Sequence, residues 1–140
     1  MPIVVFDTVI FVRALLNRRS VWAHIVFNRR AAYTLVVSLP ILREVIEVRR
    51  RPELARRFPI DPDRNVAAVL GVLDSASVVS IDEDALPRIC RDPKDDKFVA
   101  TAVEAGAAYL VSEDNDLLVL GTYGDVQIVD AATFLATLSS

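Results

Sequence analysis

The sequence predicts one α/β domain, a parallel sheet covered on both faces by helices to make three layers. Short β-branched runs recur without polar alternation, as in strands buried on both sides. Segments of helical period separate these runs, the order that feeds a parallel sheet. Apolar residues make up 53% and charged residues 25% of 140 residues, a balance that excludes disorder and fits a filled core. That length is the size of one domain, and without repeats, low-complexity tracts or Gly/Ser linkers the single domain is assigned to residues 1–140.

The first strand, Ile3–Phe6, is an apolar run stopped by Asp7, and a helix follows over Val9–Leu16. A second helical pattern covers Val21–Arg30 and leads into the strand Thr34–Ser38. Ser38 stands two residues before Pro40, a start signal for a helix over Pro40–Arg50, and another helix is read at Pro62–Asp74. The third strand is Val78–Ile81. Asp92-Pro93 puts a capping acid ahead of a first-turn proline and opens the helix Pro93–Ala105, with Asp95 where a capping box has its distal acid. Gly106 stands where a left-handed C-cap ends that helix. The strand Ala108–Ser112, a short helix Leu117–Leu120, a fifth strand Val126–Val129 and a helix Ala131–Leu138 complete the chain.

Mean hydropathy is +0.37. Even so, the apolar stretch from Phe98 to Val111 is broken by Glu104 and falls short of the ~18–20 residues of a membrane span. The start Met1-Pro2-Ile3-Val4-Val5-Phe6-Asp7 has no basic segment of a signal peptide, so a reducing, cytoplasmic setting is expected. The lone Cys90 excludes an internal disulfide, and the absence of Cys clusters and His pairs excludes a zinc site. A Ser-His-Asp triad would need the single His24. With no base adjacent in sequence, Cys90 reads as a small buried residue rather than a nucleophile.

The acids fall in a pattern. Asp7 follows the first strand, and Asp114 and Asp116 follow the fourth. Asp92, Asp95 and Asp96 open the preceding helix, and Glu44 lies in the helix after the second strand. Ligands of open α/β sheets bind outside the carboxyl ends of the strands, so four segments can deliver carboxylates to one place. Without cations such groups repel and take up protons; hard divalent ions with oxygen ligands, Mg²⁺ or Mn²⁺, hold them ionised. Ions of this kind beside a phosphodiester activate water and steady the leaving oxygen. Glu44 borders the apolar stripe of Ile41, Leu42, Val45 and Ile46, whereas Glu47 is spaced to pair with Arg43 and Arg51 at the surface. Asp92 reads as a helix cap. Spacing does not separate Asp95 from Asp96.

The segments Val4-Val5-Phe6-Asp7-Thr8-Val9-Ile10, Ser38-Leu39-Pro40-Ile41-Leu42-Arg43-Glu44, Arg91 to Ala100 and Val111 to Leu118 resemble, in this order, the motifs of PIN-domain ribonucleases. The resemblance runs to Ile128-Val129-Asp130-Ala131-Ala132-Thr133-Phe134-Leu135 and is closest to the toxin components (VapC-like) of prokaryotic toxin–antitoxin pairs. It implies a five-stranded parallel sheet of order 3-2-1-4-5 with an acidic Mg²⁺/Mn²⁺ pocket. By position it implies Asp7, Glu44, Asp96 and Asp114 as the catalytic and metal-binding quartet, with Asp116 assisting, and so selects Asp96 over Asp95. An antitoxin partner and a homodimer are implied in the same way. One residue departs from the pattern: Val9 stands where the family commonly carries Asn, removing a polar group that would orient a ligand or water. Ser112 stands where Thr is common and keeps the hydroxyl.

The formal charge of −3 conceals a split, +6 over residues 1–70 and −9 over residues 71–140. Fourteen of the sixteen basic residues are Arg, many in pairs: Arg18-Arg19, Arg29-Arg30, Arg49-Arg50-Arg51 and Arg56-Arg57. Arginine binds phosphate bidentately and stacks on bases, which suits single-stranded RNA. Arg13 and Arg43, near acid-bearing segments, are the candidates to orient it; Trp22, His24 and Tyr33 are the aromatic candidates for stacking. The reading is a metal-dependent endoribonuclease of the cytoplasm. The alternative is a PIN-like module that binds RNA or protein without turnover. A phosphoryl-accepting receiver domain would want a Lys after its last strand, and none follows Lys97.

Overall fold

The computed structural model describes residues 1–49 and 62–138. Of the arginine runs, Arg50, Arg51, Arg56 and Arg57 lie outside the described residues, as does the last residue of the helix expected to end at Arg50.

In chain order the elements are β1 (Ile3–Phe6), α1 (Thr8–Leu16), α2 (Val21–Ala23), β2 (Thr34–Ser38), α3 (Leu39–Arg49), α4 (Pro62–Asp74), β3 (Ser77–Val79), α5 (Asp96–Ala105), β4 (Tyr109–Val111), α6 (Asn115–Leu118), β5 (Thr122–Tyr123), β6 (Val126–Val129) and α7 (Ala131–Leu138). The sheet order is β3-β2-β1-β4-β6-β5. The first five of these are parallel and reproduce the expected 3-2-1-4-5. The sheet has six strands rather than five, because β5 adds an antiparallel edge beside β6. Its two residues are too short to show a pattern. Only Gly124, at φ 57° in the reversal before Val126, marks the hairpin.

The strands alternate their side chains between two cores. Val4, Phe6, Leu35, Val37 and Val111 face α1, α4 and α7 through Phe11, Val69, Val72 and Phe134. Val5, Val36, Leu110 and Ile128 face α5 and α6 through Phe98, Val99, Ala102 and Leu117. Burial on both sides explains why the strands read as unbroken apolar runs. Phe6 stacks with Phe11, Tyr33 and Phe134 at ring separations of 5.5–6.0 Å. Tyr33 also donates its hydroxyl to Ile25 O at 2.6 Å, so this aromatic belongs to the core and not to a stacking surface.

The helix expected over Val21–Arg30 is interrupted. After α2 the chain widens into a π-helical turn at His24–Asn28 and tightens to a 3-10 turn at Arg30–Ala32. The wider turn accompanies burial of the adjacent Ile25 and Val26. Arg29 and Arg30 bond within the fold: Arg29 donates to Leu138 O at the end of α7, and the exposed Arg30 to Ser75 Oγ and Gly71 O at the end of α4. Guanidinium groups thus satisfy carbonyls at helix C-termini. Gly106 ends α5 at φ 64°, as its position implies. No helix among the described residues is long and apolar enough to cross a membrane.

Candidate metal centre

The chain runs outward from β1 to β2 and β3, then reverses through β4 to β6, so the crevice between the carboxyl ends of β1 and β4 is the switch point of the sheet. Asp7 and Ser112 stand at the two lips of that crevice. Their backbones extend the ladder, with Asp7 N bonded to Val111 O and Ser112 N to Val129 O, each at 3.0 Å.

Asp7 is buried and plays two parts. Its Oδ1 accepts Val9 N–H at 3.3 Å and caps α1, while Oδ2 accepts the Ser112 hydroxyl at 2.8 Å. Burial holds its carboxyl above the ordinary range; the bonds from Ser112 and Val9 oppose that rise, and the charges of Glu44 and Asp114 add to it. Ser112 Oγ in turn accepts Asp114 N–H at 3.0 Å, and Asp114 Oδ1 caps α6 by accepting Asp116 N–H at 2.9 Å. One hydroxyl therefore ties the acid after β1 to the acid after β4.

Asp92 caps the 3-10 turn Pro93–Asp95 through Lys94 N–H, with Pro93 in the first turn as expected. Asp95 does not complete a capping box: its side chain makes no cap bond, and its Oδ2 is buried without a hydrogen-bond partner. Burial pushes its carboxyl up to about 7, with the negative charges of Asp114, Asp7 and Asp92 contributing. One oxygen each from Asp95, Asp114 and Asp116 lie within 4.8 Å of one another. Asp96 points elsewhere. Its Oδ1 accepts the backbone N–H groups of Ile89 and Cys90 at 3.1 and 2.7 Å and fastens the incoming loop to α5. Neighbouring residues of a helical turn diverge by about 100°, so the two adjacent aspartates take different partners.

Glu44, half-buried on α3, accepts the Thr8 hydroxyl on Oε2 at 2.6 Å and has Lys97 Nζ 3.4 Å from Oε1. Thr8 and Lys97, which contact Glu44, were not singled out in the sequence, and Asp95 was weighed against Asp96 there. For Thr8 the signal lay in its place beside Asp7; for Asp95 it lay in the unresolved choice between adjacent acids. Val9 leaves its side chain partly exposed and contributes only its N–H. Arg13 lies over the Trp22 ring, 4.9 Å from its centroid, and Trp22 donates to Glu113 Oε1 at 3.0 Å. Arg43 is exposed and paired with Glu83 at 2.8 Å, not with Glu47. His24 Nδ1 lies 3.2 Å from Asn28 Nδ2. Burial and the adjacent Asp96 push the Cys90 thiol up to about 12, which agrees with an unreactive residue.

The donors around the crevice are all hard oxygens. A buried carboxylate oxygen without a partner, beside carboxyls whose proton affinity is raised by burial and by one another's charge, leaves a donor set that fits a hard divalent ion such as Mg²⁺ or Mn²⁺.

Two solved structures share this architecture. The crystal structure of PAE2754 from Pyrobaculum aerophilum matches with a TM-score of 0.64 and 19% identity over 97% of this chain and 88% of that one. VapBC2 from Rickettsia felis, solved bound to a DNA fragment from its promoter, matches with a TM-score of 0.62 and 12% identity over 91% of this chain and 98% of that one. No curated protein sequence matches significantly. The family profile described as PIN domain matches residues 3–116, from the first residue of β1 through the acids that follow β4. With that span and this sheet order, the chain belongs to the PIN-domain family.

Proposed function

We propose that this chain is a metal-dependent endoribonuclease that cleaves phosphodiesters of single-stranded RNA, and that it acts in the cytoplasm as the toxin of a toxin–antitoxin pair. The observation that carries the reading is the convergence of Asp95, Asp114 and Asp116 beside the buried Asp7 at the sheet's switch point. Asp95, Asp114 and Asp116 would hold Mg²⁺ or Mn²⁺ with the Asp7 carboxyl alongside; the ion when bound supplies activation of water and neutralisation of charge on the phosphoryl oxygens. Asp95 takes the place in this set that the family pattern suggests for Asp96. Ser112 fixes the relative position of Asp7 and Asp114, and Thr8 orients Glu44 on the opposite wall. Arg13, stacked on Trp22, and Arg43 orient the RNA backbone. The solved complex from Rickettsia felis supports an antitoxin partner, and an arginine from such a partner would block the acidic pocket by charge complementarity. A homodimer is part of the same reading.

A labelled single-stranded RNA incubated with the protein tests this. Cleavage that requires Mg²⁺ or Mn²⁺, stops with EDTA and is lost in folded Asp7→Asn or Asp114→Asn supports the enzyme. Val9, an apolar side chain beside Asp7, favours the second reading, a PIN-like RNA- or protein-binding module. Absence of cleavage with every metal, alongside RNA binding that Asp7→Asn leaves unchanged, selects that module instead.

A further inference from the structure

The two walls of the crevice differ in what already neutralises them. On one wall Asp95 Oδ2 is buried with no partner, near Asp114 and Asp116. On the other, both oxygens of Glu44 are engaged, Oε2 by the Thr8 hydroxyl and Oε1 by the Lys97 ammonium. The Lys97 side chain is only 15% exposed and that of Glu44 30%, so the pair is largely withdrawn from water and weakly screened. Lys97 is also held in place: its ammonium donates to Lys94 O and lies 4.8 Å from the centre of the Phe98 ring. Its helix is anchored as well. Thr101 Oγ1 donates to Lys97 O and is bonded to Ser38 Oγ at the end of β2, so α5 cannot slide without breaking a buried contact.

We propose that the pocket takes a single divalent ion, at Asp95, Asp114 and Asp116, and that the Lys97 ammonium stands on the Glu44 wall in place of a second. The inference rests on the metal-dependent reading above and adds to it the number of ions. Two divalent ions paired for phosphoryl transfer sit about 3.5–4 Å apart and share ligands. Here a fixed ammonium already claims the carboxylate that a second ion would need. A monovalent cation on a tethered stem supplies charge at that wall at every metal concentration, and it leaves one open site for phosphate and water.

The test counts Mn²⁺ ions bound per chain by calorimetry and by electron paramagnetic resonance, with no RNA present. Wild type should bind one ion. Lys97→Met should bind two, the second more weakly, and Lys97→Met with Glu44→Gln should return to one. Lys97→Arg, which keeps the charge, should stay at one. Two ions of similar affinity in wild type, or one ion in both wild type and folded Lys97→Met, would overturn the role of Lys97 while leaving metal dependence intact. Failure of wild type to bind any ion would instead overturn the metal-dependent reading and this inference with it.

Discussion

Ser112 donates its hydroxyl to Asp7 across the gap between two neighbouring strands, at 2.8 Å, and is itself fully buried. The same oxygen accepts the N–H of Asp114, so it sets the spacing of acids 107 positions apart in sequence. Ser112→Ala removes the link without altering the backbone. Groups that orient metal ligands typically contribute about 10–100-fold to metal affinity or activity, and a loss within that range is expected for Mn²⁺ binding. The cost in stability should be about 1 kcal/mol, read from urea unfolding. Ser112→Thr should retain both properties.

Raised carboxyl affinities make the metal-free protein sensitive to pH. Asp95 binds its proton up to about 7 and Asp7 is shifted the same way, whereas both titrate near 3.8 when unfolded. Between those values the folded state holds more of these protons than the unfolded state, so the stability these two groups contribute is full below about pH 4 and declines as pH rises toward 7. Thermal unfolding in EDTA should show this fall for these groups. Asp95→Asn should flatten the fall, and millimolar Mg²⁺ should oppose it at pH 7.5. A Tm that rises through this window in wild type relative to Asp95→Asn would contradict the assignment.

Cys90 is the one thiol, and burial with Asp96 beside it keeps that thiol protonated at neutral pH. Alkylation by iodoacetamide at pH 8 should be far slower than for a free cysteine, whose thiolate fraction there is substantial. Cys90→Ser should leave cleavage unchanged. The bond to Asp96 comes from the Cys90 backbone, which the substitution keeps.

Much of this arrangement was legible before any coordinates. The strands Ile3–Phe6, Thr34–Ser38 and Val126–Val129 and the helices Pro62–Asp74 and Ala131–Leu138 lie where periodicity puts them. Buried apolar runs and capping residues act locally, and the sequence carries local causes directly. The acids after β1 and β4 were legible for the same reason: a parallel sheet places them at one end whatever the helices do. What escaped depends on orientation. Asp95 and Asp96 are adjacent, and which one faces the crevice is decided by the 3-10 turn at Pro93–Asp95 and by the loop N–H groups that claim Asp96. The partners of Arg29, Arg30 and Arg43 are distant in sequence, and for Arg43 the helical spacing to Glu47 gave no sign of Glu83. The two-residue β5 had no pattern to read.

The proposed function places the divalent ion on Asp95 rather than on Asp96. Mn²⁺ titrations of wild type, Asp95→Asn and Asp96→Asn, each paired with single-stranded RNA cleavage, test it directly. Asp96→Asn keeps a carbonyl acceptor for Ile89 and Cys90, so the fold should be preserved, with Mn²⁺ affinity and cleavage within a few-fold of wild type. Asp95→Asn should fold at least as stably without metal, yet lose Mn²⁺ affinity by a factor of ten or more and lose cleavage with it. Mn²⁺ binding and cleavage that survive Asp95→Asn but vanish in folded Asp96→Asn would contradict the account.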